Sequence, residues 1–386
     1  AWENKNAKRA MQGSGLALMA MSLTACGGSS TTPAATTTTT TTTTTVDAAK
    51  SLTLTVGSDG TAAAPFGGAT AGDDTVSGAR IDDVQTLNNG DVIDLGAGED
   101  TLTANLNAGT TAPTLSNIET VQVTALGIAT LDFVNTTGVT TGIISASSSA
   151  ALTLDNIAAI APITISNTSQ ATTIIFKDAA VAGATTEATL NLSSVSAGII
   201  TMGGETDGDG GIETINIVAS GANVTGDIAF GTTATTVNVS GSGSLDINAG
   251  AEFALVTSFD GSTATGDIDV SFADRAATTT GDISVITGSG NDDVSLALVV
   301  EGDIDNITVD LNAGNDRLIL DANTDTGNAI VGGDGSDTLQ LDIAMTAVTA
   351  AYVSEFEILE LNGGADVTQD MDLVDGMNIV NIFDMT

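Results

Sequence analysis

From Ser51 onward the chain is a succession of short runs rich in Val, Ile, Leu and Thr, each closed off by Gly, Asn, Asp or Ser. Ser51 to Val56, Ile118 to Val123, Ala151 to Leu154, Ile163 to Ile165, Thr173 to Phe176, Ile212 to Val218, Thr236 to Val239 and Ile304 to Val309 are runs of this kind. Runs this short with turn formers between them read as strands, and convincing helical periodicity is rare. Hydrophobic residues make up 42% of the 386 and aromatics only 3%, so a core is available but must be layered from small branched side chains. The class expected is all-β, in thin stacked sheets.

A Gly-Asp-Ile element recurs at Gly226, Gly266, Gly281 and Gly302, each time ahead of alternating apolar residues. It suggests an irregular repeat of one turn plus one strand. Repeats that cannot bury their own apolar face bury it by stacking. The fold expected is therefore a right-handed parallel β-solenoid, with tandem β-sandwich domains as the alternative because the spacing is uneven.

The chain has no His, one Cys, and 48 acidic against 8 basic residues, for a formal charge of −40. Histidine-dependent triads, histidine-ligated zinc and disulfide frameworks are excluded. Such a charge repels phosphates, which argues against nucleic acid as a partner. Solubility alone can account for an acidic surface. Hard divalent cations give the sharper reading, because unpaired carboxylates repel one another until a cation arrives.

The first fifty residues read as an export address. Lys5, Lys8 and Arg9 precede an apolar stretch from Leu16 to Leu23, in the pattern of a secretory signal peptide and too short to span a bilayer. Leu23-Thr24-Ala25-Cys26 resembles the bacterial lipoprotein box. That resemblance implies lipidation of Cys26 and attachment to the outer membrane, since Gly27 rather than Asp follows the Cys. The Thr run from Thr36 to Thr45 then reads as an extended tether. The organisation expected is a signal peptide over 1–25, a tether over 26–50, a β-rich solenoid body over 51–280 and a calcium-binding β region over 281–386. Asn378 to Thr386 still read as strand, which leaves a continuation beyond Thr386 open.

Gly332-Gly333-Asp334-Gly335-Ser336-Asp337-Thr338-Leu339-Gln340 matches the nonapeptide G-G-x-G-x-D-x-U-x, with U a large apolar residue. Glycines permit the turn, the Asp supplies carboxylate oxygen, and the apolar residue opens the next strand. Degenerate copies place Asp292, Asp316, Asp100 and Asp74 in the same internal position. In a solenoid whose coils match their spacing, these carboxylates would stack at one corner. Asp74, Asp100, Asp292, Asp316, Asp334 and Asp337 are the candidate calcium ligands.

These segments resemble RTX-type calcium-binding repeats and bacterial S-layer proteins that carry them. Gly96-Ala97-Gly98-Glu99-Asp100-Thr101-Leu102, Leu115-Ser116-Asn117-Ile118-Glu119-Thr120-Val121 and Val353-Ser354-Glu355-Phe356-Glu357-Ile358-Leu359-Glu360-Leu361 look like phrases of that group. The copies are dispersed rather than tandem, which argues against a long uninterrupted β-roll. The resemblance implies a non-catalytic, self-assembling S-layer or coat component of the cell surface, stabilised by calcium. A calcium-dependent adhesin, with a surface glycan as partner, is the alternative. A β-helical polysaccharide lyase is the third reading, but the body offers only Arg80, Lys177, Arg275 and Arg317 as scattered basic groups.

Overall fold

The computed structural model describes residues 48–382, apart from 69, 184, 197, 207–210, 231–232, 248–252, 254, 273–281, 297–306, 321–328, 343–346, 363–369 and 371–375. The expected signal segment, Cys26 and nearly all of the tether lie outside the described residues, as do Gly281 and Gly302.

Within the compact unit from Val46 to Thr386 the chain winds as an all-β parallel solenoid of about 12 turns. One 14-stranded sheet runs its whole length, from the strand Ser51–Thr53 to the strand Val353–Ser354. A 6-stranded sheet lies on the second side of the earlier coils, from Gly109–Thr111 to Asp227–Ala229. An 8-stranded sheet follows it, from Ala222–Thr225 to Ile379–Ile382, and a 3-stranded sheet adds a further side near the start. Every strand pairing is parallel; the antiparallel contacts among the described residues are the isolated bridges Thr61–Ala64 and Ile81–Val84.

The side-chain period of two explains why these runs stack. In Thr101–Leu106, Leu102, Ala104 and Leu106 point inward and Thr101, Thr103 and Asn105 outward. Each coil sets an aliphatic residue above the one before. Val76, Leu102, Val121, Ile143, Ile163, Leu190, Ile217 and Val239 form one such column through successive coils. All are buried. At about 1.5–3 kcal/mol per fully buried aliphatic side chain, these columns are the main stabilising term.

Coil length is uneven. Asp100 and Glu119 occupy matching positions 19 residues apart, whereas Thr186 and Glu213 do so 27 apart. The 14-stranded sheet absorbs the difference in its loops, and within it the strand Ser258–Ala264 pairs with Ile283–Ile286. A change of architecture comes at 222–229, where one second sheet ends and the other begins. Buried Asn223 sits at this switch. Its Oδ1 accepts from the N–H of Val195 at 3.1 Å and its Nδ2 donates to the carbonyls of Ser220 and Ser244, each at 3.1 Å. Phe230, Phe253, Phe272 and Phe259 then pack in sequence, with ring centroids 5.6–5.8 Å apart, in the buried interior beyond the switch.

The Gly-Asp-Ile element is not one position in a repeating coil. Ile228 lies in the 6-stranded sheet, Ile268 in the 8-stranded sheet and Ile283 in the 14-stranded sheet. The tripeptide marks a turn entering a strand, and such entries occur on every side of a solenoid. Among the described residues no helix is long and apolar enough to cross a membrane.

Candidate functional site

At one corner of the solenoid the chain turns too sharply for carbonyls of neighbouring coils to meet all of its N–H groups. Carboxylates meet them instead. The N–H of Ile268 donates to Oδ1 of Asp292 at 2.7 Å, the N–H of Asp292 to Oδ1 of Asp316 at 2.7 Å, and the N–H of Asp316 to Oδ1 of Asp337 at 2.9 Å. The N–H of Asp337 closes the series on Oε2 of Glu357 at 2.9 Å. At a different corner near the other end, where the chain enters the 14-stranded sheet, the N–H of Lys50 donates to Asp74, that of Asp74 to Asp100, and that of Asp100 to Glu119, at 2.6, 2.6 and 2.8 Å.

A second, exposed ladder runs beside each. The N–H of Asn291 donates back to Asp267 at 2.7 Å, that of Asn315 to Asn291 at 2.9 Å, and that of Ser336 to Asn315 at 3.1 Å. The N–H of Glu99 does the same to Asp73 at 3.0 Å. Two adjacent N–H groups thus point in opposite directions along the axis, each met by a side chain of the neighbouring coil. A buried N–H left without an acceptor costs about 1–3 kcal/mol, so the ladders decide whether the corner can close.

Glycine lets the coils approach at this corner. A β-carbon on Gly314 would overlap the carbonyl oxygen of Gly290, and one on Gly335 would overlap that of Gly314. The same holds for Gly98 over Gly72, where the approach would be 2.6 Å.

Of the six candidate ligands, Asp74, Asp100, Asp292, Asp316 and Asp337 are buried in the two ladders, and Asp334 is exposed outside them. The structure therefore brings together Asp292, Asp316 and Asp337 at one corner, entering the 8-stranded sheet, and Asp74 and Asp100 at a different corner near the start, entering the 14-stranded sheet. Glu119 and Glu357 complete the two ladders, and neither is among the six. A third glutamate, Glu213, accepts the N–H of Thr186 at 2.6 Å in the middle of the chain. All three share a local pattern, a buried apolar residue (Ile118, Ile212 or Phe356) just before the Glu and a strand just after. That pattern was visible in the sequence.

Three of the ladder carboxylates are only half satisfied, while Oδ2 of Asp292 accepts the N–H of Gly288 at 3.2 Å. Oδ2 of Asp100, Asp316 and Asp337 is buried and has no hydrogen-bond partner. Burial accordingly pushes the pKa of Asp100, Asp292 and Asp337 up, with neighbouring acids adding to the rise. For Asp316 it is pushed up to about 7, chiefly by burial and then by Asp292 and Asp337. Asp74 is the exception. The hydroxyl of Thr70 donates to its Oδ2 at 2.5 Å and holds its pKa down.

A buried oxygen of this kind needs a proton or a cation. Calcium suits the donor chemistry, because it takes oxygen ligands, carboxylate and main-chain carbonyl alike. Among the described residues no group of three or more His, Cys, Asp or Glu side chains is disposed to hold a metal ion. An ion on the ladder would thus complete its shell with main-chain carbonyls and water.

The chain matches no protein-family model, and no curated protein matches it.

Proposed function

We propose that this protein is a non-catalytic structural component of the bacterial cell surface, an S-layer or coat protein that self-assembles and is stabilised by calcium. The observation that carries this reading is the buried carboxylate ladder with its unpartnered oxygens. In it the acidic residues are spent on closing backbone turns, an architectural task. Asp316 and Asp337 would hold the ion through their free Oδ2 atoms, and Asp100 would do so near the start, while Oδ2 of Asp292 already accepts the N–H of Gly288 at 3.2 Å. The ion would offset the mutual repulsion of stacked carboxylates and so stiffen the corner. Lipidation of Cys26 would fasten the body to the outer membrane, with the Thr run as spacer.

The test is light scattering and negative-stain microscopy of the full-length protein, first with calcium and then with a chelator. Ordered sheets or filaments that form in calcium and disperse in chelator are the expected result. Monomers that persist at high protein concentration in calcium overturn the coat reading and leave the adhesin in front.

A further inference from the structure

The negative charge is unevenly placed over the solenoid. The outer face of the 8-stranded sheet stacks Asp246, Asp269 and Asp293 in register, with Arg317 next in the column. Arg317 meets Asp293 at 3.1 Å and Glu360 at 3.6 Å, so that face is acidic with one basic clamp. The corners carry the two ladders. The outer face of the 14-stranded sheet is different. Its outward positions in the first six strands are Ser51 and Thr53, Thr75 and Ser77, Thr101, Thr103 and Asn105, Thr120, Gln122 and Thr124, Ile144 and Ala146, then Thr164 and Ser166, and none of them is charged.

Along the rest of that face the acids at outward strand positions are Glu187, Asp260 and Asp310, each already engaged. Glu187 accepts from the amide of Asn216, Asp260 from the N–H of Ser262, and Asp310 from the N–H of Asn312. A shallow depression lined by Ser77, Thr103, Asn105, Gln122 and Thr124 lies on the uncharged part.

We infer that this face is where a second copy of the chain docks, face to face. The inference rests on the self-assembly proposed above and names the surface it uses. Two bodies of formal charge −40 repel, and the repulsion is least when the surfaces brought together carry fewest of those charges, here three carboxylates at outward strand positions over fourteen strands. The area is sufficient. Fourteen strands at about 4.8 Å spacing make a face about 60 Å long, and at a width of about 15 Å it presents roughly 900 Å² per copy. A stable interface needs about 800 Å² per partner. The half-exposed Thr, Ser, Asn and Gln side chains supply hydrogen bonds without the desolvation cost of charge. Because sparsely charged surfaces meet, sodium chloride alone should promote this face-to-face contact through screening, while the ordered sheets, which also need the ladder corners stiffened by the ion, should require calcium.

The experiment is sedimentation or light scattering of the full-length chain and of face variants, in calcium and in sodium chloride of matched ionic strength. Gln122→Glu is nearly isosteric and leaves the strand intact; Thr103→Glu with Gln122→Glu sets adjacent like charges on stacked strands. The double variant should associate about tenfold or more weakly while still unfolding in one cooperative transition, at a somewhat lower temperature because the two new charges face each other. Gln122→Glu alone should fall between it and the native chain. Ser295→Glu, on the acidic sheet, should change association less than about twofold. A native chain that associates while the face variants associate equally well overturns the docking face alone. A native chain that stays monomeric in both salts overturns self-assembly as well. A monomer that is instead retained on an uncharged polysaccharide gives the face to a glycan and overturns the inference.

Discussion

The N–H of Asp316 donates to Oδ1 of Asp337, one coil further on, at 2.9 Å, while Oδ2 of each side chain is buried without a partner. One carboxylate therefore does two things, capping a turn with one oxygen and leaving the other for a proton or an ion. Stability in the ladder coils should depend on which of the two is present.

The pH dependence follows from the raised pKa of Asp316. Its folded value of about 7 lies above the ordinary 3.8, so between these values the folded state holds a proton that the unfolded state has lost. Stability from this group is full below pH about 4 and falls as pH rises toward about 7, by roughly 4 kcal/mol at most. In chelator, melting should occur at lower temperature at pH 8 than at pH 5.5. Saturating calcium should remove most of that difference, and free ion at a hundredfold its dissociation constant should add about 2.7 kcal/mol. Calorimetry over this pH range, with and without calcium, reads both effects; equal melting with ion and with chelator at pH 8 would refute the ion reading.

Glu357 ends its ladder by accepting the N–H of Asp337. Glu357→Ala strips that N–H of its acceptor and should cost about 1–3 kcal/mol. Glu357→Gln keeps a carbonyl oxygen in reach and removes a charge beside Asp337, so it should cost under about 1 kcal/mol. Urea denaturation of the two variants measures the contrast, and an equal loss in both would mean that charge rather than capping is at stake.

Gly314→Ala places a methyl group against the carbonyl of Gly290, in a backbone at φ 158°, and the coils must separate to admit it. A loss of about 2 kcal/mol or more is expected. Gly203→Ala is the comparison, since nothing lies within 4 Å of the added carbon, and its effect should stay within about 0.5 kcal/mol. Thermal melts of the pair check this.

Asn223→Ala removes the buried amide that ties Val195, Ser220 and Ser244 together where the second sheet changes. A loss of roughly 3 kcal/mol is expected, from several buried backbone groups left unpaired at once. Hydrogen exchange should rise first in 195–245 and later in the terminal coils, because each coil touches only its neighbours.

Short β-branched runs closed by Gly, Asn and Asp were enough to establish the all-β class and to favour a solenoid, because alternation sets an inward face and brevity favours stacking; the parallel pairing of successive coils decided it against tandem sandwiches. The spacing of Asp292, Asp316 and Asp337, by 24 and then 21 residues, was likewise enough to place them at one corner. The sequence could not say what a carboxylate does there. That role depends on which N–H of the neighbouring coil faces it, and coils of 19 to 27 residues have no fixed period from which to compute the pairing. For the same reason Glu119 and Glu357 emerged as ladder ends only once the coils were laid side by side, and Asp334, though inside the complete nonapeptide, fell outside the ladder. The Gly-Asp-Ile tripeptide marked turns entering strands at Ile228, Ile268 and Ile283 but not which sheet each strand joins, because such a turn looks alike on every side of the solenoid. Which columns are charged and which are neutral was also a tertiary matter: Thr103 and Gln122 belong to one uncharged face because their strands pair, and Asp269 and Asp293 to an acidic one for the same reason.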